Sequence, residues 1–363
     1  MVHLQMKEKT LASYSKINIK MNNPKSNDEH QQDHGEKDID HDLDLDQLPK
    51  TQGWLGSSVL SLYQGFWCPS KIVPNIKAFQ AHFRPRSQDI ILASSPKSGT
   101  TWLKALLFSI VNRSRYNLSN TPLLTSNPHQ LLPFLEFTTY ANAKAPRDDD
   151  DDAATLSSPR LFSTHLPHQL LPESIAECPD CRVVFICRNP LDAVVSFWHF
   201  AHRDRAESHQ HSMEDYVDKC CRGEQGFGPF WDQVLGYWKE SLEKPEKVLF
   251  LRYEDMKGET EVRVKKIAEF VGFPFSAEEE SQGVVGEILE LCSLRNLRDL
   301  EVNKSGKFMP NFDNKCYFRK GEVGDWVNHL SSSMAERIIK IIEEKLSGSG
   351  LKFKYQEEDE EKN

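Results

Sequence analysis

A chain of 363 residues with 38% hydrophobic side chains is long enough for one large core or two small ones. No apolar run approaches the 18 or so residues of a membrane span, and the formal net charge is −9. That charge is unevenly spread: residues 1–50 carry net −3, the five aspartates at 148–152 carry −5 and the terminal EEDEEKN carries −4, which leaves about +3 for the rest. The part expected to fold is mildly basic, but it lacks the basic, aromatic-studded stripe of a nucleic-acid binder. A small polyanionic ligand suits it better.

The first 48 residues, with the alternating aspartates of DIDHDLDLDQ, lack the apolar surface to fold alone and are expected to be a disordered polar tail. They open without an apolar h-region, so no secretory signal is expected. Five lysines against a single Glu8 in the first 25 residues faintly suggest a transit peptide. The absence of arginine and the weak amphipathicity favour a cytoplasmic chain instead. The folded domain is expected over 49–356, with an acidic tail over 357–363. The eight cysteines read as reduced thiols used in packing. The lone CPDC at 178–181 lacks the second ligand pair of a zinc site and precedes a strand instead of following one.

A strand is expected over 89–95 and a helix from Trp102 to about Arg113, where Trp102, Leu103, Leu106, Leu107, Ile110 and Val111 fall at helical spacing. RLFSTHL (160–166) is a second strand. RVVFICR (182–188) is nearly all apolar, as a strand covered on both faces should be. Asn189 can cap the helix that follows, and Pro190 suits its first turn. KVLFLRYED (247–255) is a fourth strand, and helices are expected at about 258–271, 278–292 and 333–346. This alternation predicts an α/β fold: a single domain with a central parallel sheet flanked by helices. Ligands of such sheets lie beyond the C-terminal ends of the strands.

The first of those ends carries SSPKSGTTW. Gly99 lets the backbone approach a ligand, and the N–H groups from Ser98 to Trp102 are expected to point outward at a helix N-terminus that favours an anion. Ser98, Thr100 and Thr101 add hydroxyls, and Lys97 adds a charge. The bland reading is a capped turn with a surface lysine. A nucleoside triphosphatase loop carries lysine after its second glycine, whereas Thr100 follows Gly99 here. The only weak candidate for a magnesium carboxylate is YED at 253–255. The loop is P-loop-like but unsuited to a metal–triphosphate complex.

Taken in order, PKSGTTW, THLP (164–167), CRNPLDAVVSFWHF (187–200), LRYEDM (251–256) and FRKGEVGDW (318–326) resemble the cytosolic sulfotransferases. YQGFWCP, GFGPFWDQVLGYW and LRNLRDLEVNKSG are similar to the plant branch. The resemblance spans roughly residues 48–356 and implies 3′-phosphoadenylyl sulfate as co-substrate, with no metal. It implies that Lys97, Ser98, Gly99, Thr100, Thr101 and Trp102 bind the 5′-phosphosulfate end. Lys97 lies near the leaving oxygen and Trp102 stacks on adenine. Arg188 and Ser196 take the 3′-phosphate, with Arg319, Lys320 and Gly321 as a second clamp and Tyr253 as a further contact. His165 is the candidate base, because a neutral imidazole at a strand end can accept the proton of an attacking hydroxyl. His168 is its nearest competitor among 13 histidines.

The chain departs from the family pattern in places. Animal members carry lysine where Ser163 stands, phenylalanine near Leu294 and often lysine at Val327. Their Lys-Thr-Val-Glu dimer motif is missing, so a monomer is expected. The implied partner is a small-molecule hydroxyl acceptor. Phe66, Trp67, Phe134, Phe137, Tyr140 and Phe227 are candidates to line its pocket. The aspartates at 148–152 read as a solvated loop or as a lid that disfavours anionic acceptors. Plant relatives sulfate flavonols, brassinosteroids, hydroxyjasmonate and desulfoglucosinolates; a flavonoid or other small phenol is placed first. A P-loop nucleotide kinase and a catalytically silent nucleotide-binding protein remain as alternatives.

Overall fold

The computed structural model describes residues 45–54, 58–143, 158–203, 212–309 and 312–355. All elements below lie within the unit spanning 46–363. The N-terminal tail to residue 44, the aspartates at 148–152 and the acidic tail at 357–363 lie outside the described residues.

The first elements were not expected from the sequence. Strands β1 (Lys50–Gln52), β2 (Val59–Tyr63) and β3 (Phe66–Pro69) form an antiparallel sheet in that order. The β2–β3 hairpin turns through Gln64 and Gly65, at φ 48° and 87°, the left-handed pair that suits the twist of a two-residue hairpin. Helix α1 (Val73–His82) follows.

The centre is a four-stranded sheet of β4 (Ile90–Ser94), β5 (Leu161–Thr164), β6 (Arg182–Cys187) and β7 (Val248–Arg252), all parallel, in the order β5-β4-β6-β7. Every residue of β4 is buried, as the continuous IILAS run requires of a strand covered on both faces. Side chains alternate between two layers. Ile90, Leu92, Val184, Ile186, Leu249 and Leu251 pack toward α2 (Thr100–Asn112) and join its Leu103, Leu106, Leu107 and Ile110 in one core. The opposite layer holds Phe185, stacked on Tyr237 at 4.0 Å, and Phe250, edge-on to Trp238.

The further helices used below are, in chain order, α3 (Pro128–Leu131), α4 (Pro190–Ala201), α5 (Met213–Cys221), α6 (Phe230–Glu243), α7 (Tyr253–Gly258), α8 (Thr260–Phe270), α9 (Val284–Leu291) and α10 (Ser332–Leu346), with shorter helical segments between some of them. Asn189 caps α4 as expected: its side chain accepts the Asp192 N–H, with Pro190 at the first position. Two expectations are corrected. The fourth strand ends at Arg252, and Tyr253 opens α7 with Glu254 and Asp255 in its first turn, where carboxylates are favourable. The helix expected over 278–292 is divided at Gly283, whose φ of 81° breaks a right-handed run.

The strand order reverses between β4 and β6. The crevice beyond their C-terminal ends is where an open parallel sheet binds its ligand.

Candidate active site

Each sheet strand delivers one piece to this crevice. After β4 the chain turns through Lys97, at φ 66°, and Gly99, at φ 98°, into α2. Gly99 is required twice over. Its φ lies in the left-handed region, and a Cβ there would stand 2.7 Å from the Tyr253 ring. The first turn of α2 leaves its N–H groups without intrahelical acceptors, which makes an anion cradle. Two expectations for this loop need correction. The Ser98 N–H does not face out but donates to the Ser95 carbonyl at 3.3 Å, closing the turn. The buried Thr100 hydroxyl pairs with Ser94 Oγ at 2.8 Å beneath the loop. Thr101 stays half-buried at the mouth. Ser98 Oγ is buried and has no hydrogen-bond partner among the described residues.

Beyond β5 stands His165. Its Nδ1 lies 2.8 Å from the Ser94 carbonyl. A carbonyl only accepts, so Nδ1 carries the hydrogen and Nε2 presents a lone pair. The backbone is held on both sides: the His165 N–H donates to Glu136 Oε1 at 2.7 Å, and Gln233 of α6 donates to the His165 carbonyl at 2.7 Å. Burial pulls the imidazole down to about 3, opposed by the Ser94 contact and reinforced by Lys104 and Lys97. The ring is neutral at physiological pH. Burial raises the Glu136 carboxyl to about 7, against the His165 N–H bond that favours its charged form. Phe134, Phe137 and Phe227 surround the His165 ring at centroid distances of 4.7, 6.4 and 5.6 Å. Trp67 supports this group, since its carbonyl accepts the Phe227 N–H at 2.7 Å. Phe66 and Tyr140 are instead core residues, with Tyr140 packed on Phe79. His168 packs edge-on against Tyr237 of α6.

β6 is followed directly by the buried Arg188. Its guanidinium meets Asp192 Oδ2 at 3.0 Å and the Glu322 carbonyl, and lies over the Tyr253 ring at 4.6 Å. Its Nε is among the buried groups without a described partner. Ser196 lies two turns further along α4, buried. β7 is followed directly by Tyr253, whose ring packs edge-on to Trp102 at 5.8 Å and whose hydroxyl donates to the Gly321 carbonyl at 2.8 Å. Gly321 is at φ 66°, and a Cβ there would meet Leu294 at 2.9 Å. Arg319 and Lys320 each bind Asp325 at 2.6 Å. Burial pushes the Asp325 carboxyl up, but Lys320, Arg319 and Asn328 together hold it well below the usual range.

Several site groups escaped the sequence reading. Lys104 is fully buried in α2, with Nζ 3.0 Å from His129 Nδ1, 2.8 Å from the Leu132 carbonyl and 3.5 Å from the centre of the Phe134 ring. Burial draws its ammonium well below the usual range, opposed by Glu136. Ser163 Oγ donates to the same Leu132 carbonyl at 3.1 Å. The available signal was a lysine inside a helix that is apolar on all sides. His129 and Glu136 sit in a similarly apolar stretch, NPHQLLPFLE. Glu254 and Asp255, the weak magnesium candidates, are engaged by the Asn189 N–H at 2.9 Å and Arg252 at 2.8 Å.

The α2 N-terminus, the neutral His165 and Arg188 each follow a strand of one parallel sheet, and the Arg319 loop reaches that sheet's end through Asp192 and Tyr253. A family model for the sulfotransferase domain matches residues 87–350, and the chain belongs to that family. Its branch is the plant cytosolic one. The chain is 51% identical over 315 residues to cytosolic sulfotransferase 15 of Arabidopsis thaliana, covering 85% of this chain and 86% of that one. It is 50% identical over 317 residues to cytosolic sulfotransferase 14 of the same plant, covering 85% and 89%. A solved Arabidopsis thaliana sulphotransferase, 40% identical, superposes with a TM-score of 0.66 over 89% of this chain and 99% of that one. A mouse sulfotransferase solved with PAP, at 23% identity, shares the fold with a TM-score of 0.60 over 80% and 95%.

Proposed function

We propose that this sulfotransferase moves a sulfuryl group from 3′-phosphoadenylyl sulfate to a hydroxyl of a small plant metabolite, with flavonoids and other phenols ahead of hydroxyjasmonate, brassinosteroids and desulfoglucosinolates. The observation that carries the reading is the tautomer of His165: Nδ1–H fixed on the Ser94 carbonyl at 2.8 Å, and Nε2 open among Phe134, Phe137 and Phe227. The residues fit the donor at both ends. Gly99 lets the loop close down on the Tyr253 ring, and Ser98 Oγ and Arg188 Nε are buried polar atoms with no described partner.

In the transfer, the acceptor oxygen forms a bond to sulfur as the sulfur–phosphate oxygen bond breaks. His165 Nε2 takes the hydroxyl proton. Lys97 and the N–H groups of the α2 first turn stabilise the charge arriving on the leaving 5′-phosphate. The basicity of His165, low in the free protein, rises beside the negative charge of the donor. Arg188, Ser196, Arg319, Lys320 and Gly321 hold the 3′-phosphate end, with Trp102 and Leu294 against the adenine. Tyr253 braces both halves from below. The aromatic surround of His165 favours flat phenolic acceptors.

The test is a panel of plant hydroxyl compounds with labelled donor, run with and without EDTA. Turnover should persist with EDTA. His165→Ala should lose about a hundredfold or more in kcat while binding adenosine 3′,5′-bisphosphate as tightly as wild type. Near-normal turnover by that variant sinks the base assignment.

A further inference from the structure

We infer that Lys104 and His129 form a buried relay that fixes the Thr101 hydroxyl as a hydrogen-bond donor to the anion at the N-terminus of α2, which makes both of them positioning residues for the transfer. The inference deepens the sulfotransferase reading, and rests on it for the identity of the anion. The relay's polarity follows from the charge state of Lys104, which burial opposes and Glu136 and a bound anion favour.

Lys104 Nζ faces three electron-rich partners: the Leu132 carbonyl at 2.8 Å, the π face of Phe134 at 3.5 Å and His129 Nδ1 at 3.0 Å. A carbonyl and a ring face can only accept, so Nζ donates to each of them, and in the ammonium form, which Glu136 and a bound anion favour against burial, a third hydrogen remains. Its third hydrogen meets Nδ1, which then carries none. Burial, Lys104, His165 and Lys97 hold His129 well below the usual imidazole range, so the ring is neutral. A neutral ring with a bare Nδ1 carries its hydrogen on Nε2. That nitrogen lies 3.0 Å from Thr101 Oγ1 and donates to it. The Thr101 hydroxyl, having accepted, keeps its own hydrogen for a ligand. With the opposite polarity that hydrogen would be tied up on His129.

The ring cannot readily turn over. It is 3% exposed, stacked on Phe134 at 5.4 Å and enclosed by Phe308 and Tyr317 at 5.4 and 4.3 Å. α3 is itself pinned by the Asn127–Asn303 side-chain bond of 2.8 Å. The negative charge of a bound anion favours the Lys104 ammonium further, so ligand and relay support one another.

The experiment is a double-mutant cycle on the full chain with Thr101→Val, His129→Phe and both together. Phenylalanine keeps the aromatic packing at 129 and removes both nitrogens. Affinity for adenosine 3′,5′-bisphosphate is read by calorimetry, and donor KM and kcat by turnover. Each single change should weaken nucleotide binding about tenfold or more, and the double should be no worse than the worse single. His129→Gln, whose amide N–H can still reach Thr101, should recover most of the loss. Additive losses, or an unchanged affinity in His129→Phe, overturn the relay. Nitrogen-15 imidazole NMR of the wild-type chain adds a measurement that needs no variant: the hydrogen of His129 is expected on Nε2, and finding it on Nδ1 overturns the relay. A wild-type chain that fails to bind the nucleotide sinks the donor reading, and the NMR result still decides the polarity. Binding with an additive cycle sinks the relay alone.

Discussion

Lys97 is held where an ammonium is least comfortable without a ligand. Its Nζ lies 4.1 Å over the Phe200 ring, and burial, followed by Arg319, draws it down to about 7, with Arg188 and Arg203 adding to the effect and Cys316 opposing it. A bound phosphosulfate reverses this, because its negative charge favours the ammonium. The sign follows directly. Above pH 7 the free protein has lost much of the Lys97 charge, so binding must take up a proton there, and affinity falls as pH rises. Below pH 7 the charge is already present and affinity is flat with respect to this group. Calorimetry of adenosine 3′,5′-bisphosphate binding at pH 8, in two buffers of different ionisation enthalpy, should register uptake of nearly one proton. Lys97→Arg, which stays charged, should abolish it. Equal proton uptake in both proteins refutes this account of Lys97.

At the scale of elements, the junctions between a strand and its following segment do the assembling, and Asp192 in the first turn of α4 joins two of them. Its Oδ2 accepts Arg188 at 3.0 Å, Asn189 Nδ2 at 3.0 Å and the Gly324 N–H at 2.8 Å, while Oδ1 accepts the Trp326 N–H at 3.0 Å. It ties the end of β6 to the loop carrying Arg319, Lys320 and Gly321. Asp192→Asn leaves the buried Arg188 partly unpaired and turns an acceptor into a donor facing backbone N–H groups, a change known to be strongly destabilising locally. Donor KM should rise about tenfold or more, and amide exchange should quicken over 319–328. Unchanged exchange with unchanged KM dismisses Asp192 as the tie. The sheet strands and α2 could be read from the sequence because their apolar runs and the turn chemistry after each agree. The β7–α7 boundary could not, because RYED carries both a strand's aromatic residue and a helix's acidic first turn. The β1–β3 sheet was hidden in strands of three to five residues, too short for alternation to stand out, although the Gln64–Gly65 turn was there to be read. Lys97, His165 and Arg188 were legible because each follows a strand in a recognisable motif. Lys104, His129 and Glu136 were not, since burial and pairing across distant segments give them their importance, and neither leaves a local pattern.

Across the whole molecule the charges are segregated: about +3 over most of the chain, with −5 in the aspartates at 148–152 alone. Chain connectivity limits where those five charges can go. The run is flanked by Ala143, whose N–H is held by Asn75 Oδ1 at 3.0 Å, and by Ser158, whose carbonyl accepts Arg115 at 3.1 Å. Ala143 follows the turn bearing Phe137, and Ser158 leads into β5 and His165. On the lid reading, the fivefold negative charge opposes an anionic acceptor at low ionic strength and leaves a neutral phenol untouched. The opposition should fade as the screening length drops from about 10 Å at 0.1 M salt to about 3 Å at 1 M. Replacing the five aspartates by asparagine should therefore raise kcat/KM for a hydroxy-carboxylate severalfold at low salt, with no change for a neutral phenol and no difference between the two proteins at 1 M. If the ratio between the two acceptors is the same in both proteins at low salt, the run is a solvated loop without a part in selectivity, and the preference must be set by the aromatic surround of His165.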